Sequence, residues 1–64
     1  MVKINGNYED VAGKNLENYI VSKGYDKNCI AVERNGEIVP KNDYCKITIC
    51  DNDSIEVVSF VGGG

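Results

Sequence analysis

With 64 residues and no histidine or tryptophan, the chain has room for one thin-cored domain that buries roughly 60% of the surface its unfolded form exposes. It also lacks the commonest general base and the commonest metal ligand, which excludes a Ser/His/Asp or Cys/His site and a histidine-based zinc site. A hydrophobic fraction of 42%, a charged fraction of 27% and a net charge of −3 describe a globular, acidic protein, unsuited to nucleic-acid phosphates and suited to a partner with a basic docking surface.

Val2-Lys3-Ile4 alternates apolar and polar before Asn5-Gly6. Asn-Gly between extended segments is the strongest short hairpin signal, because both residues tolerate positive φ. The return strand is predicted from Asn7 to about Val11, short and polar enough to lie at an edge. Asn15 is placed to cap one helix of eight to ten residues. Within it Leu16, Tyr19 and Ile20 make an apolar stripe at i, i+3 and i+4, and the stem of Lys23 can lie along its edge. Gly24 stands where a left-handed residue ends a helix. A helix this short does not persist alone in water, so it must pack on a sheet.

The spacing next predicts a mostly apolar interior strand at Cys29–Glu33. Asn35-Gly36 repeats the hairpin signal, Glu37-Ile38-Val39 returns, and Pro40 ends that strand for want of an N–H. Lys41–Tyr44 reads as a turn or 3₁₀ segment. Ile47-Thr48-Ile49 fits either a strand or a turn, Asp51-Asn52-Asp53-Ser54 is a turn cluster whose acidic residues are expected to be a solvated cap, and Ile55–Val61 is the last strand. One helix across one face of a mixed sheet of four to five strands is the economical α+β arrangement, and hairpin, helix crossover, further strands is the β-grasp order.

Cys29, Cys45 and Cys50 are odd in number, so they do not complete a disulfide framework. Their spacing matches no standard metal motif, and the expectation is three small, partly buried thiols in a reducing compartment. No apolar run approaches the roughly 20 residues that span a bilayer, and the turn at Asn5-Gly6 comes too early for a signal-peptide core. The chain is therefore expected to be cytoplasmic and free of membrane.

Two features point to function. Gly62-Gly63-Gly64 ends the sequence, and glycines lose more entropy on ordering than any other residue, so a run of them is expected to be a flexible tail. Without Cβ atoms such a tail can thread a narrow channel in another protein and present its carboxylate to chemistry. In the strand before it, Ile55 and Val57 share one face while Glu56, Val58 and Phe60 share the other. If the helix covers the first pair, then Val58 and Phe60 are exposed and form a docking patch beside the tail.

The run Ala31-Val32-Glu33-Arg34-Asn35-Gly36-Glu37-Ile38-Val39-Pro40, followed by Asp51-Asn52-Asp53-Ser54 and a Phe60-Val61-Gly62-Gly63-Gly64 ending, resembles the ThiS family of sulfur carrier proteins in thiamine biosynthesis. Length and element order agree from end to end, and the two motifs are specific in combination. Either alone is weak, since a Gly-Gly end also occurs in other ubiquitin-like proteins and in the small subunit of molybdopterin synthase. There is one departure: the family usually has Asp-Gly-Asp where this chain has Asp51-Asn52-Asp53. Asn also tolerates the left-handed conformation, so the turn should survive.

The resemblance implies a ubiquitin-like β-grasp domain over 1–61 with the Gly-Gly-Gly tail at 62–64. It implies a carrier and co-substrate rather than an enzyme, with no catalytic residue, no metal and no bound cofactor of its own. A ThiF-type adenylating enzyme would use ATP to adenylate the Gly64 carboxylate. Sulfur from a cysteine desulfurase-type donor would displace AMP to give a thiocarboxylate, and the thiazole synthase ThiG would take that sulfur into the thiazole ring. Gly62 and Gly63 would thread the partner's active site, while Val58, Phe60 and Val61 would help dock partners. Two alternatives stand beside this: a sulfur carrier for molybdopterin or another pathway, and an unmodified ubiquitin-like binding module.

Overall fold

The structure, a computed structural model, describes residues 1–60. Five strands, β1 (Val2–Ile4), β2 (Asn7–Glu9), β3 (Ile30–Arg34), β4 (Glu37–Val39) and β5 (Ser54–Ser59), and one helix, α1 (Leu16–Ser22), are joined by 3₁₀ turns at Lys27–Cys29 and Lys41–Lys46. The sheet order is β2-β1-β5-β3-β4. Both expected hairpins form. Ile4 pairs with Asn7 and Arg34 with Glu37 across two-residue turns. Their central residues all have positive φ: 50° and 85° at Asn5-Gly6, 52° and 86° at Asn35-Gly36. That is the conformation a right-twisted hairpin demands and Asn-Gly supplies.

The last strand is the middle of the sheet. β5 runs parallel to β1 and antiparallel to β3, so the two hairpins are joined only through it. This is the mixed five-stranded β-grasp arrangement anticipated from the element order, with β2 at one edge.

Asn15 caps α1 as its position suggested: its side-chain oxygen accepts from the Asn18 N–H at 3.1 Å. Gly24 follows the helix in the left-handed region, at φ 81°. The helix has seven residues rather than eight to ten, because Lys23 already takes the capping position. Its stripe of Leu16, Tyr19 and Ile20 joins one core cluster with Val2, Ile4, Val32, Ile55 and Val57. Burying each of these larger side chains is worth about 1.5–3 kcal/mol, and this packing, not intrinsic propensity, holds so short a helix. Lys23 lies 5.6 Å from the Tyr19 ring centroid and 3.5 Å from Glu9 Oε1, along the edge of the stripe as expected.

Several boundaries differ from expectation. β2 stops at Glu9, and Val11, though buried, has left the ladder to enter the turn closed by Lys14 N–H on its carbonyl. Cys29 belongs to a 3₁₀ turn capped by the Asp26 side chain, so β3 begins at Ile30. β5 starts one residue earlier than expected, at Ser54, and its strand pairing ends at Ser59, although the Phe60 N–H still donates to the Cys29 carbonyl at 2.9 Å. The Lys41–Tyr44 turn extends to Lys46 and buries Tyr44.

Ile47-Thr48-Ile49 is no regular strand. Thr48 makes a single bridge to Asn15, the Ile47 carbonyl accepts from Leu16 N–H and the Ile49 N–H donates to the Lys14 carbonyl. The segment satisfies the backbone at the helix entrance and places Ile49 wholly inside the core.

Candidate functional site: an open sheet face beside the last strand

α1 covers one face of the sheet, and among the described residues the other is left open. Alternation along β5 sends Ile55 and Val57 into the core and Glu56 and Val58 outward. Val58 is 60% exposed and Phe60 45%, so both predicted docking residues stand on the surface. The remaining predicted site residues, Val61, Gly62, Gly63 and Gly64, lie outside the described residues, as does the expected domain boundary between 61 and 62.

Register completes the face. β3 presents Ala31 opposite Val58 and Glu33 opposite Glu56, and β4 presents Ile38 opposite Glu33. Ile38 is 67% exposed, an apolar neighbour of the Val58 patch that sequence reasoning left out. The signal was available: in Glu37-Ile38-Val39 only one of two adjacent apolar residues can face the core, and Val39 takes that place. Ala31, Glu33, Ile38, Glu56 and Val58 together line a shallow groove of about 230 Å³.

The strand that carries this face is firmly anchored. At its start Asp53 is buried, only 7% exposed, and its carboxylate points inward. It accepts from Arg34 Nε at 2.9 Å, Asn35 Nδ2 at 3.0 Å and the Cys50 N–H at 2.9 Å. Burial alone would raise its pKa, but the bonds from Asn35, Cys50 and Arg34 outweigh that and hold the carboxyl below its ordinary value. Asp53 is therefore not part of a solvated cap. Asp51 is exposed and meets the Met1 amino group, in keeping with the cap reading for that residue alone. Asn52 between them has φ 70°, so the turn survives its departure from Asp-Gly-Asp. Farther along, the Asn5 side-chain oxygen accepts from the Val57 N–H at 2.7 Å, which ties the first hairpin turn to β5.

The thiols stand differently from expectation. Cys45 and Cys50 are exposed and only Cys29 is half-buried, because 45 and 50 fall in the irregular connection from β4 to β5 rather than on a core-facing strand. Among the described residues no group of three or more His, Cys, Asp or Glu is arranged to hold a metal, and no helix is long and apolar enough to cross a membrane.

A model of the ThiS family matches residues 2–64. The sulfur carrier protein ThiS of Bacillus subtilis is 38% identical over 68 aligned positions, spanning the whole of both chains. A thiazole synthase of Paramagnetospirillum magneticum is 43% identical over 53 residues, which are 83% of this chain but only 16% of that protein. The crystal structure of a thiamine biosynthesis protein (ThiS) from Geobacter metallireducens superimposes with a TM-score of 0.76 at 28% identity, covering 98% of this chain and 97% of the other.

Proposed function

We propose, because this chain belongs to the ThiS family of sulfur carrier proteins in thiamine biosynthesis, that it works as a protein co-substrate whose Gly64 carboxylate is activated and converted to a thiocarboxylate. The observation that carries the reading is the family match over residues 2–64, which includes Gly62-Gly63-Gly64.

The chemistry follows from what the chain has and lacks. A free carboxylate is a poor electrophile, so it needs activation. An adenylating enzyme of the ThiF type supplies it: the carboxylate attacks the α-phosphorus of ATP, pyrophosphate leaves, and an acyl-adenylate forms. The terminal sulfur of a donor persulfide, charged by a cysteine desulfurase, then attacks the acyl carbon and AMP leaves; a thiol of the donor breaks the resulting acyl disulfide, forming a disulfide on the donor and freeing the thiocarboxylate. The resulting thiocarboxylate keeps its sulfur covalently bound until thiazole synthase takes it up, so sulfide never diffuses free. With no histidine in the chain, the acid–base and metal chemistry falls to the partner enzymes, and ATP is bound there rather than here. Gly62 and Gly63 have no Cβ atoms, so they would pass through a narrow channel in the partner.

Val58, Phe60 and Val61 precede those glycines in the sequence and are the docking residues. Two observations support the reading. The described part of the patch is exposed beside the final strand, and thiazole synthases from two bacteria contain a stretch similar to this chain within their own polypeptides, in keeping with a carrier and synthase that act together.

The test is an intact-mass measurement after incubation with ATP, the adenylating enzyme and a sulfur donor. The expected result is a mass gain corresponding to one oxygen replaced by sulfur at Gly64. An unchanged mass, with partners shown active on another carrier, would overturn the proposal.

A further inference from the structure

The open sheet face carries an arrangement that folding alone does not favour. Glu33 on β3 is directly opposite Glu56 on β5, which places the two Cβ atoms about 5 Å apart, and like charges so placed destabilise a ladder. Among the described residues neither carboxylate forms an ion pair. Arg34, adjacent in sequence, is engaged with Asp53. Lys3, on the same face in register with Ser54, stands one pleat from Glu56 and bridges to neither glutamate.

Both glutamates line the groove whose other residues are Ala31, Ile38 and Val58. A face meant only for solvent would not set two carboxylates against each other and surround them with exposed Ile38 and Val58, which are 67% and 60% accessible. An arginine from a partner satisfies all of it. Its planar guanidinium has five donors and can bond two carboxylates at once, whereas an ammonium acts as a point charge. Its aliphatic stem has an apolar bed in Ile38 and Val58.

We propose that the groove between β3, β4 and β5 is an arginine socket, and that thiazole synthase, the partner class whose own polypeptides in two bacteria contain a stretch similar to this chain, fills it with an arginine whose guanidinium lies between Glu33 and Glu56. The proposal rests on the reading above that this face docks partners. The repulsion between the glutamates in the free carrier becomes attraction once the cation is seated, so stability of the free protein and affinity for the synthase should respond to the glutamates in opposite directions.

The experiment measures binding of the full chain to the thiazole synthase of the same organism by calorimetry, for wild type and for the double variant Glu33→Gln/Glu56→Gln. The double variant is expected to bind at least about tenfold more weakly. Wild-type affinity should fall between roughly 50 and 500 mM NaCl while that of the variant stays nearly flat. The melting temperature of the free variant should rise by about 1–4 °C. An unchanged dissociation constant or an unchanged salt dependence in the variant would overturn the socket, and so would failure of the wild type to bind the synthase. If the variant loses only its adenylation by the activating enzyme and keeps its affinity for the synthase, the assignment to the synthase falls. In each of these cases the mass gain at Gly64 is read separately, so loss of the socket leaves the carrier function standing or falling by its own measurement.

Discussion

Arg34 Nε donates to Asp53 Oδ2 at 2.9 Å, and this contact joins the end of β3 to the turn that launches β5. The carboxylate is buried and the guanidinium half-buried, so the pair is shielded from solvent. The same carboxylate holds Asn35 in the second hairpin turn. One acidic side chain thus fixes the position of the central strand relative to its antiparallel neighbour, and with it the face that carries Val58.

Asp53→Ala should therefore lower stability by about 2–3 kcal/mol, because it strands the Arg34 charge and leaves the Cys50 N–H and the Asn35 amide without their acceptor. Urea unfolding checks this. The pH dependence has a definite sign. The Asp53 carboxyl is held below its ordinary value of 3.8, so its contribution is full above that value and is lost as the pH falls below it through the folded-state pKa. Wild-type stability should drop more steeply than that of Asp53→Asn on acidification from about pH 5 to pH 2.

Asn35 and Asn52 both have positive φ, yet they should respond differently to glycine. Asn52 is exposed with φ 70° and its side chain makes no hydrogen bond among the described residues, so Asn52→Gly should be neutral within about 0.5 kcal/mol, while Asn52→Ala should cost about 1–2 kcal/mol for the left-handed backbone. Asn35 also donates to Asp53 and accepts from the Ser54 N–H. Asn35→Gly should therefore cost about 1–3 kcal/mol although the backbone is relieved. Thermal melts of the three variants order them.

Val58→Ala and Phe60→Ala remove exposed apolar surface and should change folding stability by no more than about 0.5–1 kcal/mol. Partner docking should suffer more. Phe60→Ala is expected to reduce the specificity constant for adenylation roughly five- to tenfold, as truncation of an aromatic anchor does. Steady-state release of pyrophosphate measures it, and unchanged kinetics with an intact fold would remove Phe60 from the docking surface.

Deleting Gly64 should leave the urea midpoint unchanged and abolish the sulfur mass gain, because the activated carboxylate would then stand one residue short of the adenylating centre. Intact-mass analysis of the truncated chain under the conditions that load wild type gives the answer.

The two Asn-Gly hairpins, the Asn15 cap, the apolar stripe of α1 and the sharing of one face by Ile55 and Val57 were legible in the residues themselves, because each rests on local backbone preference or on a period of 2 or 3.6. The sequence also carried the family resemblance in its Asn-Gly-Glu-Ile-Val-Pro run and its glycine ending. Tertiary structure alone decided what depends on contacts distant in the chain. Ile49 is buried because the Ile47–Ile49 segment caps the helix entrance, although nothing in its three residues distinguishes strand from turn. Asp53 is a buried anchor rather than a solvated cap because Arg34 and Asn35, nineteen and eighteen positions away, converge on it. Glu33 meets Glu56, and Ile38 comes alongside them, only because β5 inserts between β1 and β3 in one register. Local periodicity assigns a side chain to a face, and only strand pairing decides which residues share it.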